Sequence, residues 1–401
     1  MKKTITNLKD IENKKILVRL DLNVPIDNKK IVDNNRIIQS LPTLNYLIEK
    51  GGKIIIFSHL GRIKSESDKE KKSLKIVGEE LSKLLNKNVI FVKKTRGKEL
   101  ENKINSLKKG DVLLVENTRF EDFINEKVTK YESSCDGELS KYWASLGDVF
   151  VNDAFGTLHR KHASNYGISI NIKEKVIGFL VKKELEVLEK IKMNPERPFV
   201  VILGGAKISD KVGVIDSMLK IADKVIIGPA MSYTFRLATN HLVGKSLIDE
   251  SKIEYAKNIL KNNSEKIIVA FDSIAVKEIN DDKNQELKSY EEIPDDYMGV
   301  DLGEKSIKLI QDSLKNARTI FWNGPLGIIE NDKYSNGSKE ILNSIVNLKN
   351  VFTVIGGGDS GLMTKKLGLE KRVSYISTGG GASLKFLENK EMPSLELIED
   401  I

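Results

Sequence analysis

Short apolar runs rich in β-branched residues recur along the whole chain, and helical patterns separate them. In the first half the runs are KKILVRL (14–20), KIIIFS (53–58), NVIFV (88–92), DVLLVE (111–116) and DVFVN (148–152). The second half carries PFVVILG (198–204), DKVIIG (223–228), KIIVAF (266–271), RTIFW (318–322), VFTVI (351–355) and RVSYIS (372–377). Continuous rather than alternating apolar character marks strands buried on both faces, as in parallel sheets covered by helices. Strands alternating with helices argue for βαβ units. The expected fold class is α/β, with two doubly wound parallel-sheet (Rossmann-like) domains of about six strands each.

A length of 401 residues exceeds one ordinary core and calls for more than one domain. The segment VKKELEVLEKIKMNPERP (181–198) divides the two sets of strands. Leu185, Leu188 and Ile191 keep a helical spacing until Pro195 and Pro198 stop it. The expectation is a first domain over 1–180, a connecting helix over 181–196 and a second domain over 197–389. Residues 278–300 (EINDDKNQELKSYEEIPDDYMG and the following valine) read as a flexible acidic-rich loop, because charges and turn formers replace the apolar pattern.

Composition narrows the function. With 40% hydrophobic and 30% charged residues the chain reads as a soluble globular protein. No apolar run approaches the roughly 18–20 residues of a membrane span, and MKKTITNLKDIENKK lacks the apolar core of a secretory signal. The lone Cys135 excludes an intrachain disulfide, fits a reducing cytoplasm and reads as a spectator. The net charge of +8 raises nucleic-acid binding as a possibility, but nucleic-acid binders cluster their cations on one element. Here 55 lysines are scattered among acids, as in SESDKEKKSLK, which describes solvated helix surface. Only ten arginines occur, and six precede residue 180. Arginine grips carboxylate and phosphate with a bidentate fork that lysine lacks, so a small anionic ligand is favoured over nucleic acid.

Ligands of open α/β sheets bind at the carboxyl ends of strands. In the first half those ends carry Asp21 and Asn23 in VRLDLNVP, His59 and Arg62 in FSHLGR, and Asn117 and Arg119 in VENTRF. VNDAFGTLHRKHAS adds Asp153, His159, Arg160 and His162, and Arg36 in NNRIIQ stands at a helix start. Any one of these is an ordinary surface salt-bridge residue. Repeated after strand upon strand, they describe a site for a phosphorylated, carboxylate-bearing small molecule, each charge-assisted hydrogen bond contributing about 1.5–3 kcal/mol. His159 and His162 are the one pair with metal-ligand spacing, and no further ligand accompanies them.

The strand ends of the second half are rich in glycine: LGGAKISDK (203–211), NGPLGIIE (323–330), IGGGDSG (355–361) and STGGGAS (377–383). No G-x-x-x-x-G-K-[ST] sequence occurs. Small residues let main chain approach a ligand closely, and helix N-termini attract phosphate, so four such turns in one sheet suggest a nucleotide phosphate cradle. Lys207 and Lys211 add positive charge beside the first turn. Asp359 is the natural ligand for a magnesium ion accompanying the nucleotide, since magnesium takes a carboxylate with phosphate oxygens and water. Gly356, Gly358 and Gly361 also fit G-x-G-x-x-G, but the next strand, RVSYIS, ends in Thr378 and glycines instead of the acid that would hold a dinucleotide ribose. A nicotinamide- or flavin-dependent oxidoreductase is therefore not expected.

Taken together, VRLDLNVP, NNRI, SHLGR, LLVENTRF, VNDAFGTLHRKHAS, LGGAKISDK, WNGPLGIIE, GGGDS and STGGGASLKFLE closely resemble the phosphoglycerate kinase family, in order and over essentially the whole chain. The resemblance implies a glycolytic phosphotransferase that moves the acyl phosphate of 1,3-bisphosphoglycerate to ADP, with Mg2+ on the ADP/ATP nucleotide. It implies two domains that close on one another, with residues 390–401 returning to the first, and a cytoplasmic monomer without nucleic-acid or membrane partners. Asp21, Asn23, Arg36, His59, Leu60, Gly61, Arg62, Arg119 and Arg160 match the patch that binds 3-phosphoglycerate, with Arg36 facing the transferring group. Gly204, Gly205, Lys207, Lys211, Asn323, Glu330, Gly356, Gly357, Gly358, Asp359 and Ser360 match the nucleotide site, with Glu330 at the ribose and Asp359 as the metal ligand. Arg36, Lys211, Gly357 and Gly380 match the catalytic set, Gly379 and Gly380 forming the helix start that faces the migrating phosphoryl group. Pro229 and Ala230 stand where the family usually has glycines beside the base. In NGPLGIIE, Leu326, Ile328 and Ile329 replace residues that are commonly Met, Val and Phe.

Overall fold

The computed structural model describes residues 1–280 and 287–401. It forms two compact units, Met1–Glu186 with Lys390–Ile401, and Val187–Asn389. Each is built on one six-stranded sheet in which all neighbours run parallel.

The first sheet contains β1 (Lys15–Leu20), β2 (Lys53–Phe57), β3 (Val89–Val92), β4 (Val112–Val115), β5 (Val149–Asp153) and β6 (Glu174–Ile177). Their order across the sheet is β6-β5-β1-β2-β4-β3. Successive side chains leave a strand on opposite faces. Ile16, Val18 and Leu20 therefore join Ile54, Ile56, Leu114 and Val151 in one buried layer with Ile37, Leu44 and Leu47 of helix α1 (Asn35–Glu49). Leu17, Ile55, Phe57, Leu113 and Phe150 meet Leu139 and Trp143 on the other face. Both faces are covered, which is why the strands read as continuous apolar runs. β6 (EKVI) lacks that signature because two of its four residues are charged and only half-buried.

The second sheet contains β7 (Phe199–Leu203), β8 (Lys224–Ile227), β9 (Ile267–Val269), β13 (Thr319–Asn323), β14 (Phe352–Gly356) and β15 (Tyr375–Ile376) in the order β9-β8-β7-β13-β14-β15. Between β9 and β13 the chain adds β10 (Ser273–Val276), β11 (Lys288–Tyr290) and β12 (Met298–Leu302), an antiparallel sheet with β10 in the centre. The loop expected over 278–300 is corrected there. β11 and the start of β12 lie within that stretch, and residues 281–286 lie outside the described residues. Polar β11 is an edge strand with two exposed residues, so no apolar run announces it. RVSYIS also shrinks to two strand residues, its start being taken by a single turn over Glu370–Arg372.

Helix α2 (Phe179–Met193) carries the chain from one unit into the other, with the division falling between Glu186 and Val187. The C-terminal residues join the first unit through main-chain hydrogen bonds from Lys3 to Glu399 and from Ile401 to Met1, both 2.8 Å. No helix among the described residues is long and apolar enough to cross a membrane.

Strand order reverses between β1 and β5 in the first unit and between β7 and β13 in the second. Such switch points open a crevice beyond the carboxyl ends of the strands. The paired terminal residues are Leu20 and Asp153 in one sheet, Leu203 and Asn323 in the other.

Candidate functional sites

At the switch point of the first unit, Asp21 follows β1 directly and is buried. Its Oδ2 accepts a hydrogen bond from Nη1 of Arg36, presented by the first turn of α1. Burial alone would raise the Asp21 carboxyl, but its neighbours, Arg36 foremost, hold it below the usual carboxylate range. The 59–62 turn after β2 is tied to its neighbours by main chain. Gly61 N–H donates to Asn23 Oδ1 at 2.8 Å and Leu60 N–H to Asn117 Oδ1 at 3.1 Å, while Asn117 Nδ2 returns a bond to Leu60 O. Asn23 and Asn117 thus fix the position of His59 and Arg62.

Arg119, 8% exposed, donates from Nη1 to Asp122 at 2.8 Å and from Nη2 to His162 Nε2 at 3.4 Å. Arg160 donates from Nε to His159 Nε2 at 3.1 Å. Arg160 stands close enough to Arg119 and Arg62 for their repulsion, added to burial, to lower its guanidinium pKa, with only Asp21 opposing. Neither Arg62 nor Arg160 forms an ion pair among the described residues. Burial and the neighbouring guanidiniums push His59 down to about 3 and His162 down to about 2, so both rings are neutral at physiological pH. The result is a half-buried cationic surface with fewer carboxylates than guanidiniums, suited to an anion of several charges. Asp153 belongs to the scaffold instead. Its Oδ1 accepts Val181 N–H at 3.0 Å in the first turn of α2, and burial lifts its pKa to about 6.

In the second unit the turns after β7 and β13 touch. Gly204 N–H donates to Asn323 O at 2.9 Å. A Cβ on Gly204 would lie 2.1 Å from Pro325 O, and one on Gly324 would lie 2.5 Å from Gly204 O, so only glycine permits this main-chain contact. Lys211, just before helix α3 (Val212–Ile221), hydrogen-bonds through Nζ to Asn323 Oδ1. Burial draws its ammonium down to about 8, with Asp210 and Glu388 opposing. Lys207 is exposed on the same turn.

At the end of β14, Gly356 is buried, and Gly357 (φ +91°) turns the chain into helix α5 (Gly358–Lys366). Asp359 is exposed in its first turn, whereas the Ser360 side chain is buried with Oγ unpartnered. Gly380 stands before helix α6 (Gly381–Leu387) with no heavy atom within 4 Å of a Cβ position. A cavity of about 440 Å³ adjoins the Gly205 turn. It is lined by Pro229 and Ala230 from the start of helix α4 (Pro229–Leu237), by Tyr233, by Lys245 and Met298, and by Glu330 at its edge. Gly204, Lys211, Asn323 and the Gly357 turn are thus brought together by the sheet, and Glu330 marks the cavity beside them.

A sequence model of the family described as phosphoglycerate kinase matches residues 5–390. The chain belongs to that family. Curated relatives named phosphoglycerate kinase include those of Lactiplantibacillus plantarum, 50% identical over 400 residues, and Fusobacterium nucleatum, 50% identical over 402 residues. In both cases all of this chain and all of the relative are covered. Solved phosphoglycerate kinase structures from Coxiella burnetii and Pyrococcus horikoshii superpose with TM-scores of 0.83 and 0.84 at 31% and 29% identity. They cover 99% and 98% of this chain and 98% of each solved chain. A phosphoglycerate kinase transfers phosphate between 1,3-bisphosphoglycerate and ADP in glycolysis, and this chain is such a phosphotransferase.

Several residues that shape the two sites carry no signal at a strand end. Arg19 lies inside β1, and its supports lie far along the chain, Glu132 in a turn and Ser164 in the short helical segment Ala163–Gly167. Asp301 sits beneath the 323–330 turn, accepting Gly337 N–H at 3.0 Å, and burial lifts it to about 7. Tyr233 and Lys245 reach the cavity from separate elements.

Proposed function

We propose that the first unit binds the triose and the second binds the magnesium nucleotide, each at its sheet's switch point. The observation that carries the reading is the cluster of Arg62, Arg119 and Arg160, which repel one another and which the protein only partly neutralises. A phosphate and a carboxylate would complete it. Arg36, held by Asp21, would face the transferring group. Asn23, which accepts Gly61 N–H, would meet substrate hydroxyls.

On the second unit the base would occupy the 440 Å³ cavity with Glu330 at the ribose. The phosphates would lie along the Gly204–Gly205 turn and the main chain at Gly356, Gly357, Gly358 and Ser360, with Lys207 and Lys211 beside them. Asp359 fits a magnesium ligand, because its carboxylate is exposed in the first turn of α5 next to glycines that leave the main chain bare. When bound, magnesium supplies charge neutralisation on the phosphate oxygens. Lys211 and the amides at Gly357 and Gly380 stabilise negative charge on the transferring phosphoryl group, for which no protein nucleophile is required. Because the two substrates must meet, the units approach during turnover, and exclusion of water then protects the acyl phosphate from hydrolysis. We further propose that the chain acts as a cytoplasmic monomer.

The test is a coupled assay of ATP formation from 1,3-bisphosphoglycerate and ADP, run with and without magnesium, beside calorimetry of 3-phosphoglycerate binding. Strong magnesium dependence and triose binding that is lost in an Arg62→Ala/Arg160→Ala variant are expected. Undiminished triose binding in that variant would refute the placement.

A further inference from the structure

Arg19 stands apart from the other arginines of the first unit. It is fully buried in β1, and the three sides of its guanidinium are already engaged. Nε donates to Ser164 Oγ at 2.9 Å, Nη1 to the carbonyl of Leu20, and Nη2 meets His59 Nδ1 at 3.1 Å. Ser164 passes a hydrogen bond on to Glu132 Oε1, and its N–H donates to Glu132 Oε2 at 2.9 Å. Arg19 is thereby oriented and its charge balanced from behind. Three of its five N–H donors are thus committed within the protein.

A guanidinium has donors and no acceptor, so the ring nitrogen facing Nη2 must be the unprotonated one. His59 is then protonated at Nε2, the nitrogen that has no protein partner among the described residues. We propose that Arg19 is a positioning residue that locks His59 as the neutral Nε2–H tautomer, making it a hydrogen-bond donor to the triose rather than a cation. This rests on the assignment of the first unit as the triose site.

The groups acting on His59 agree with this reading. Burial most of all opposes a second proton, Arg19, Arg119 and Arg160 add to that opposition, and only Asp21 favours one. His162 and His159 instead receive a guanidinium N–H on Nε2, from Arg119 and Arg160, which calls for the Nδ1–H tautomer. His59 and His162 therefore add no positive charge to the arginines through the physiological range.

Two-bond 1H–15N correlation spectra of the free, full-length protein test the tautomer without any ligand. The expected result is the Nε2–H pattern for His59, with no titration from pH 8 down to pH 5. An Nδ1–H pattern, or an imidazolium forming near the ordinary histidine value, would overturn the proposal while leaving the triose site standing. Conversely, absence of 3-phosphoglycerate binding would remove the site and leave the spectra intact.

Calorimetry gives the second readout. From pH 7.5 to 9, where the ligand charge is constant, 3-phosphoglycerate affinity should change by less than about twofold, whereas a required imidazolium would cost tenfold per pH unit. His59→Gln places an amide oxygen toward Arg19 and an N–H₂ toward the ligand. It should retain more than about a third of the affinity, against a loss of at least tenfold for His59→Leu. Equal losses in the two variants would contradict the donor role. Arg19→Met, which removes the donor facing Nδ1, should allow both His59 tautomers in the spectra. Should that variant fail to fold, the wild-type spectra and the His59 pair still decide.

Discussion

The two units place equivalent crevices at the carboxyl ends of parallel sheets and furnish them with opposite chemistry. Where β1 and β5 part, the first unit offers long side chains: Arg36 bound to Asp21, Arg119 to Asp122, and Arg160 without a carboxylate partner among the described residues. Where β7 and β13 part, the second unit offers main chain, with Gly204 and Gly324 packed so closely that any Cβ would collide with a carbonyl. On the proposed assignment, the difference follows from what each would hold. A compact triose with a carboxylate at one end and a phosphate at the other would be gripped best by guanidinium forks. A nucleotide polyphosphate lies along the backbone, where amides and helix N-termini supply several weak donors at once.

The contrast is open to direct attack. The largest expected effect is at Arg36: Arg36→Ala should lower kcat about 100-fold, and by at least tenfold, in the coupled assay, with an unchanged circular dichroism spectrum. Near-normal turnover would mean that the side chains of the first unit bind without helping transfer.

On the main-chain side, Asp359→Ala should weaken magnesium–ADP binding roughly tenfold by calorimetry while 3-phosphoglycerate affinity is unchanged. Loss of both affinities would show that the two sites are not chemically separate.

The units should also differ in pH response. Lys211 is drawn to about 8 by burial, so it loses its charge as pH rises through that value, and kcat/KM for ADP should fall above it. Lys211→Arg should remove that alkaline limb whatever its effect on the absolute rate, because a guanidinium does not deprotonate there. Triose affinity, resting on arginines, should stay flat over the same range.

The smallest effect is expected at Pro229, the first residue of α4 at the cavity wall. Pro229→Gly should lower stability by about 0.4–1 kcal/mol through the unfolded chain, read as a shift of a few degrees or less in Tm. ADP affinity should change by less than about threefold. A larger change would make the proline a determinant of base recognition.

Particular elements show what could be read without coordinates. The doubly wound architecture was legible because ten of the eleven apolar runs become strands of three or more residues buried largely on both faces, and such runs have few other places to go. β6 was illegible because its charges sit at the sheet edge. The sheet of β10 to β12 was illegible because antiparallel pairing lets one polar strand face solvent. Arg36, Arg62, Arg119 and Arg160 were visible as candidates since each follows a strand or opens a helix at a functional end. Arg19 was not, because inside β1 nothing local separates it from an ordinary strand residue.

What the sequence determined by itself is the succession of buried strands, the positions of the scarce arginines and the glycine turns, since these depend on side-chain identity and local spacing. Only tertiary structure decided which nitrogen of His59 faces Arg19, that Gly204 and Gly324 touch, and that Lys211 is half stripped of water beside Asn323. Those outcomes arise from pairings across about 40 to 120 residues of chain, set by the order of strands in each sheet. Proton position and desolvation respond to the groups that arrive there, whatever their distance in sequence.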